Sequence, residues 1–183
     1  MRILVTYASG FGATAEVAKE IADLLGRRHV VEMHPLAAVR SLDRYEAVVL
    51  GSSLRAGRWL GAAPRFVSRF HEALAARPVA IFSLGLTAHT REGSRRVLRE
   101  SLPKLLGRYP EIQPVATEAF GGVLNYERYN PVIRTIMRKV ALQEGLPTSG
   151  FTDFRDWEAI RKWAEELGER WAEASPRPSA SEV

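Results

Sequence analysis

Apolar positions along the chain fall into two alternating rhythms. Short unbroken runs lie at residues 2–7, 29–33, 47–50, 79–84 and 115–120. Runs this short, with no in–out alternation, predict strands covered on both faces. Between them, apolar residues recur every three or four positions, which predicts amphipathic helices. Residues 14–25 carry Val17, Ala18, Ile21, Ala22 and Leu25, and residues 64–76 carry Phe66, Val67, Phe70 and Leu74, with Pro64 in the first turn. A basic helix over 95–106 is expected to break or restart near Pro103. Asn130-Pro131 opens a helix to about residue 142, and Asp153 is expected to cap a last helix carrying Phe154, Trp157, Ile160, Ala164, Leu167 and Trp171.

Strands that alternate with helices predict an open parallel α/β sheet with helices on both faces, a three-layer sandwich. With right-handed crossovers, five strands match the order 2-1-3-4-5 better than the six-stranded alternative. Neither a repeat nor a linker interrupts the pattern. Residues 1–174 are therefore expected to form one domain, and the Pro-, Ser- and Ala-rich residues 175–183 a disordered tail. Such sheets bind ligands beyond the carboxyl ends of their strands.

Composition narrows the chemistry. The 183 residues include no cysteine, which removes disulfides, thiolate metal sites and cysteine nucleophiles. His29, His34, His71 and His89 lack the close spacing of a metal site, so no metal is expected. No apolar run approaches the roughly 20 residues that span a bilayer. The first run is too short for a signal peptide, and the expectation is a cytoplasmic protein.

The net charge of +5 suggests an acidic partner: nucleic acid, an anionic membrane surface or an acidic substrate. The excess sits mid-chain. Residues 91–110 hold six Lys and Arg against two Glu, and residues 126–140 hold four against one. These segments lack interleaved aromatic platforms, so nucleic acid is not expected. Val132, Ile133, Ile136, Met137 and Val140 form one helical stripe, expected to pack on the sheet. Arg134, Arg138 and Lys139 lie mostly off it, a basic face able to draw the protein peripherally to the inner face of the cell membrane. No feature points to an oligomeric state.

The segment Ser9-Gly10-Phe11-Gly12-Ala13-Thr14 joins the first strand to the first helix. Its glycines permit a tight turn, Ser9 and Thr14 offer hydroxyls, and the helix start aims free N–H groups at the loop. A phosphate could be held here without Lys or Arg. Three readings stand. A Walker loop would need a Lys that is absent. A dinucleotide fingerprint fits Gly10-x-Gly12-x-x-Ala15, with Glu32 twenty residues past Gly12. A plain glycine turn would bind nothing.

The pattern Ser9-x-Phe11-Gly12-Ala13-Thr14 resembles the hydroxyl-rich FMN phosphate loop of flavodoxins. Two further loops, Ser52-Ser53-Leu54-Arg55-Ala56-Gly57 and Ser83-Leu84-Gly85-Leu86-Thr87, follow strands three and four, where that family grips the flavin ring. Together the three favour FMN over a dinucleotide and a flavodoxin-like fold. Electron-carrying flavodoxins are typically acidic, whereas this chain is basic. Its ring loops also lack the Trp and Tyr that often sandwich the flavin, Trp59 falling after the loop.

Residues 1–172 resemble the menaquinone-dependent protoporphyrinogen oxidase family, bacterial FMN enzymes of haem synthesis. The most specific parts are the segments 51–57 and 121–129, the basic helix after the latter, and Thr152-Asp153-Phe154-Arg155-Asp156-Trp157. The basic segment 87–108 is shared too, in a shortened form. The resemblance implies oxidation of protoporphyrinogen IX to protoporphyrin IX, with electrons passing through FMN to menaquinone. Porphyrinogen and quinone would be the partners. Arg55 and Arg58, and Arg91, Arg95 and Arg96, are the candidates to pair with the propionates. No side chain stands out as a general base, and no catalytic residue is assigned. The remaining readings are a flavodoxin-like electron carrier and a flavin-free binding module.

Overall fold

Strand β1 (Arg2–Ala8) sends Leu4 to one face of the sheet and Ile3 and Val5 to the other, all fully buried. The same division runs through β3 (Ala47–Arg55) and β5 (Val79–Gly85). Val48, Leu50, Val79 and Ile81 meet α2 (Ala62–Ala75) and α3 (Arg91–Leu106). Val49, Ala80 and Phe82 meet α1 (Ala13–Leu25) and α5 (Trp157–Ala174). Two apolar faces need two helical layers, and this is the three-layer flavodoxin-like sandwich expected from the sequence. The computed structural model describes residues 1–174; the tail expected over 175–183 lies outside the described residues.

With β2 (Val30–Pro35) and β6 (Ala116–Gly121), the parallel strands run in the order β2-β1-β3-β5-β6, the expected 2-1-3-4-5 when parallel strands alone are counted. At the sheet centre Gly51 pairs with Phe82, and a Cβ at position 51 would lie 2.1 Å from the Phe82 ring.

Four local expectations are corrected. First, β3 continues through Ser52 and Ser53, because β1 and β5 pair with it on both sides as far as Ala8 and Leu84. A two-residue turn, Ala56-Gly57, then leads to the antiparallel β4 (Arg58–Trp59). Second, α3 starts at Arg91, where Thr90 Oγ1 accepts the Gly93 N–H at 3.0 Å, and it runs unbroken through Pro103. The burial of Leu105 and Leu106 holds the last turn despite the missing N–H. Third, Asp153 belongs to a short strand, β8 (Phe151–Asp153), and Asp156 caps α5 by accepting the Ala159 N–H at 3.0 Å.

The fourth correction concerns α4 (Pro131–Gln143), whose apolar stripe does not pack on the sheet. Ile133, Met137 and Val140 lie against Leu86, Leu124, Tyr126 and Tyr129, while Val132 and Ile136 remain 69% and 48% exposed. Both sheet faces are already covered by other helices. Helix α4 instead belongs to an excursion between β6 and α5, framed by the antiparallel pair β7 (Val123–Asn125) and β8. Its two ends meet where the Phe154 N–H donates to Gly122 O at 3.0 Å. Among the described residues no helix is long and apolar enough to cross a membrane.

Candidate functional site

A cleft opens at the carboxyl ends of β1, β3, β5 and β6, between the loop after β1 and the excursion. Gly12 turns that loop into α1 with φ of 99°, a left-handed conformation that favours glycine. Its N–H donates to Ser9 Oγ at 3.0 Å. The first intrahelical bond runs from the Glu16 N–H to Gly12 O. The N–H groups of Ala13, Thr14 and Ala15 precede it, as at any helix start, and suit an anion.

The loop is fastened from three sides. The Thr14 side chain is fully buried, and its Oγ1 lies 2.6 Å from Ser53 Oγ on β3. The Phe11 ring packs on Tyr129 at 5.0 Å between centroids and lies under the Arg55 guanidinium at 5.2 Å. Phe11 O accepts from Arg128 at 3.2 Å. Arg55 also crosses Gly10 so closely that a Cβ there would stand 2.2 Å from its Nη2. Burial pushes the Tyr129 phenol up, so it stays protonated and donates to Val123 O at 3.2 Å.

The structure sorts the sequence candidates. Gly10, Phe11, Ala13, Ser53, Leu54, Arg55, Leu84, Gly85 and Leu86 line the cleft. Ser52 and Ser83 are fully buried strand residues rather than loop residues; Ser52 Oγ donates to Ser53 O at 3.0 Å, and Ser83 Oγ has no hydrogen-bond partner among the described residues. Ala56, Gly57 and Thr87 line an adjoining cleft between α3 and α4, together with Arg96. There Arg96 is bound to both oxygens of Glu144 at 2.9 Å, and Thr87 donates to the same carboxylate at 3.0 Å. Arg58, Arg91 and Arg95 are exposed and line neither cleft.

Sequence reasoning missed Arg155 and Asn125, and it left Tyr129 without a role. The Arg155 side chain, only 8% exposed, lines the cleft between α1 and α5. It donates to Asp153 Oδ2 at 2.6 Å and to Glu16 Oε2 at 2.7 Å, and stacks over the Trp157 ring at 4.6 Å. Burial would raise the Asp153 carboxyl, but hydrogen bonds from the Arg155 side chain and N–H, with its charge, hold it below the usual carboxylate range. Asn125 Oδ1 is buried on the cleft wall with no hydrogen-bond partner among the described residues. Both Arg155 and Asn125 lie in segments that carry the family resemblance, 152–157 and 121–129, but β7 is too short for periodicity to say which way Asn125 faces.

These residues fit FMN. One end of the cleft offers free helix N–H groups to a phosphate, and the wall offers an unsatisfied acceptor, Asn125 Oδ1, to a ring N–H. Leu54, Leu84, Leu86 and Met137 give the apolar surface that a planar ring requires.

The comparisons agree with this geometry. The model of the flavodoxin domain family matches residues 4–149. A protoporphyrinogen IX dehydrogenase [quinone] from Leishmania major is 30% identical, the match covering 100% of this chain and 81% of that protein. The protein of the same name from Escherichia coli K12 is 26% identical, with coverage of 91% and 94%. Among solved structures, oxidised flavodoxin 2 from Bacillus cereus superposes with a TM-score of 0.53 at 20% identity, covering 96% of this chain and 100% of that one. A WrbA-like flavodoxin from Agrobacterium tumefaciens gives 0.52 at 15% identity, with coverage of 94% and 96%. At these identities the structural likeness speaks for the fold.

Proposed function

Because the chain belongs to the flavodoxin domain family, we propose that it is an FMN-dependent oxidoreductase that takes protoporphyrinogen IX to protoporphyrin IX and hands the electrons to a quinone. The observation that carries the cofactor is the pairing of free N–H groups at residues 13–15 with the unsatisfied Asn125 Oδ1 across one apolar cleft. FMN, when bound, supplies the capacity to accept and release electrons. The chain supplies position. The N–H groups of Ala13, Thr14 and Ala15 bind the phosphate, the Thr14–Ser53 bond fixes the loop, and Phe11, Tyr129 and Arg55 cover the cleft and exclude water.

The substrate and acceptor come from the names of the two relatives, and the basic middle of the chain suits a dicarboxylate. Exposed Val132, Ile136 and Leu142, beside Arg138 and Lys139 on α4, support a peripheral contact with anionic lipid, where a quinone resides.

The deciding experiment is anaerobic mixing of the FMN-loaded protein with protoporphyrinogen IX, followed by a menaquinone analogue. Bleaching of the flavin absorbance and its return on adding the quinone are expected. An FMN-loaded protein that porphyrinogen leaves oxidised would overturn the substrate; a colourless protein indifferent to added FMN would overturn the cofactor.

A further inference from the structure

The cofactor cleft continues sideways into the cleft between α3 and α4. The two share Leu54, Arg55, Gly85, Leu86 and Met137, so an occupant of the second abuts an occupant of the first. Leu54, Leu86, Val97, Met137 and Val140 make the second cleft's apolar surface. Its charges are not all satisfied. Arg96 is neutralised by Glu144, but among the described residues neither Lys104 nor Arg55 has a carboxylate within the 4.0 Å of an ion pair. Glu100, one turn before Lys104, lines the same cleft unpaired. Lys104 Nζ donates to Gly57 O at 3.3 Å, which sets it on the Ala56-Gly57 turn, while Arg55, the last residue of β3, reaches over Phe11 and lines both clefts. Ser101 Oγ, 2% exposed, lies on the same wall with no hydrogen-bond partner among the described residues.

We infer that this second cleft is the tetrapyrrole site: an apolar macrocycle lies on Leu54, Leu86, Val97 and Met137, and its two carboxylates are received by Lys104 and Arg55. The inference rests on the porphyrinogen reading above and adds to it where the substrate binds. Apolar surface supplies affinity for the macrocycle, and Lys104 at the Ala56-Gly57 turn, with Arg55 where the two clefts join, selects its acidic edge. The carboxylate of Glu144, held by Arg96 and Thr87, fixes the opposite wall by joining α4 to α3 and to the end of β5.

The test titrates the FMN-loaded protein with protoporphyrin IX and with its dimethyl ester, which lacks both charges, reading porphyrin fluorescence. Lys104→Ala should weaken protoporphyrin IX about tenfold, the scale of one charge-assisted hydrogen bond. Lys104→Glu should weaken it further, and Lys104→Arg should restore it. Ester binding and FMN affinity should not change. Wild-type affinity in Lys104→Ala overturns the site and leaves the porphyrin reading intact, as does equal weakening of acid and ester. If the wild-type protein binds neither porphyrin and porphyrinogen leaves the flavin oxidised, both readings fall together.

Discussion

Arg155 reaches from just ahead of α5 to the first turn of α1, where its guanidinium lies 2.7 Å from the Glu16 carboxylate. A carboxylate beside the N–H groups of an anion site would repel a phosphate; Arg155 offsets part of that charge, sharing its one positive charge between Glu16 and Asp153.

Arg155→Met therefore exposes the loop to an uncompensated Glu16. FMN affinity should fall at least about tenfold, whereas riboflavin, which has no phosphate, should lose far less. Flavin fluorescence quenching on the apoprotein measures both. Equal losses would place Arg155 in the fold rather than in phosphate binding.

The Asp153–Arg155 pair sets a pH response. A carboxyl held lower in the folded chain than in the unfolded one adds stability above its unfolded value, 3.8, and loses it as pH falls through the folded value. Wild type should exceed Asp153→Asn in urea resistance at neutral pH, and the gap should close as pH drops below about 4. A gap independent of pH would show that the contribution is not ionic.

Ala56 has φ of 47°, the one left-handed non-glycine conformation among the described residues. Ala56→Gly relieves it and should raise stability by up to about 1 kcal/mol, while Ala56→Val should lower it. Urea unfolding midpoints at constant slope decide the matter.

At the sheet centre, Gly51→Ala drives a methyl into the Phe82 ring. A loss of about 2 kcal/mol is expected, as for other overpacked cores. Adding Phe82→Leu should recover part of it. Full additivity of the two losses would argue against their contact.

The sheet was readable because strands buried on both faces leave uninterrupted apolar runs, as at Ile3-Leu4-Val5 and Val48-Val49-Leu50. The turn between β1 and α1 was readable from Gly10 and Gly12. Other features depended on choices that a local pattern leaves open. Asp153 and Asp156 both stand before the last helix, and either could cap it; the pairing of β7 with β8 takes the first and leaves the second. The stripe on α4 announces an apolar partner without naming it, and the faces already filled by α1, α2, α3 and α5 decide that it is not the sheet. Arg155 and Glu16 lie 139 positions apart, beyond any periodicity.

The excursion that carries α4 leaves and rejoins the domain within a single hydrogen bond, Phe154 N–H to Gly122 O. Such a closed detour is a cassette. It can lengthen, shorten or be exchanged without moving β6 or α5, since their junction is fixed independently of what lies between. It also contributes Asn125, Tyr129 and Met137 to the cleft walls. Variation in this one segment can therefore retune the cleft wall opposite the loop after β1 while the sheet beneath it keeps its place.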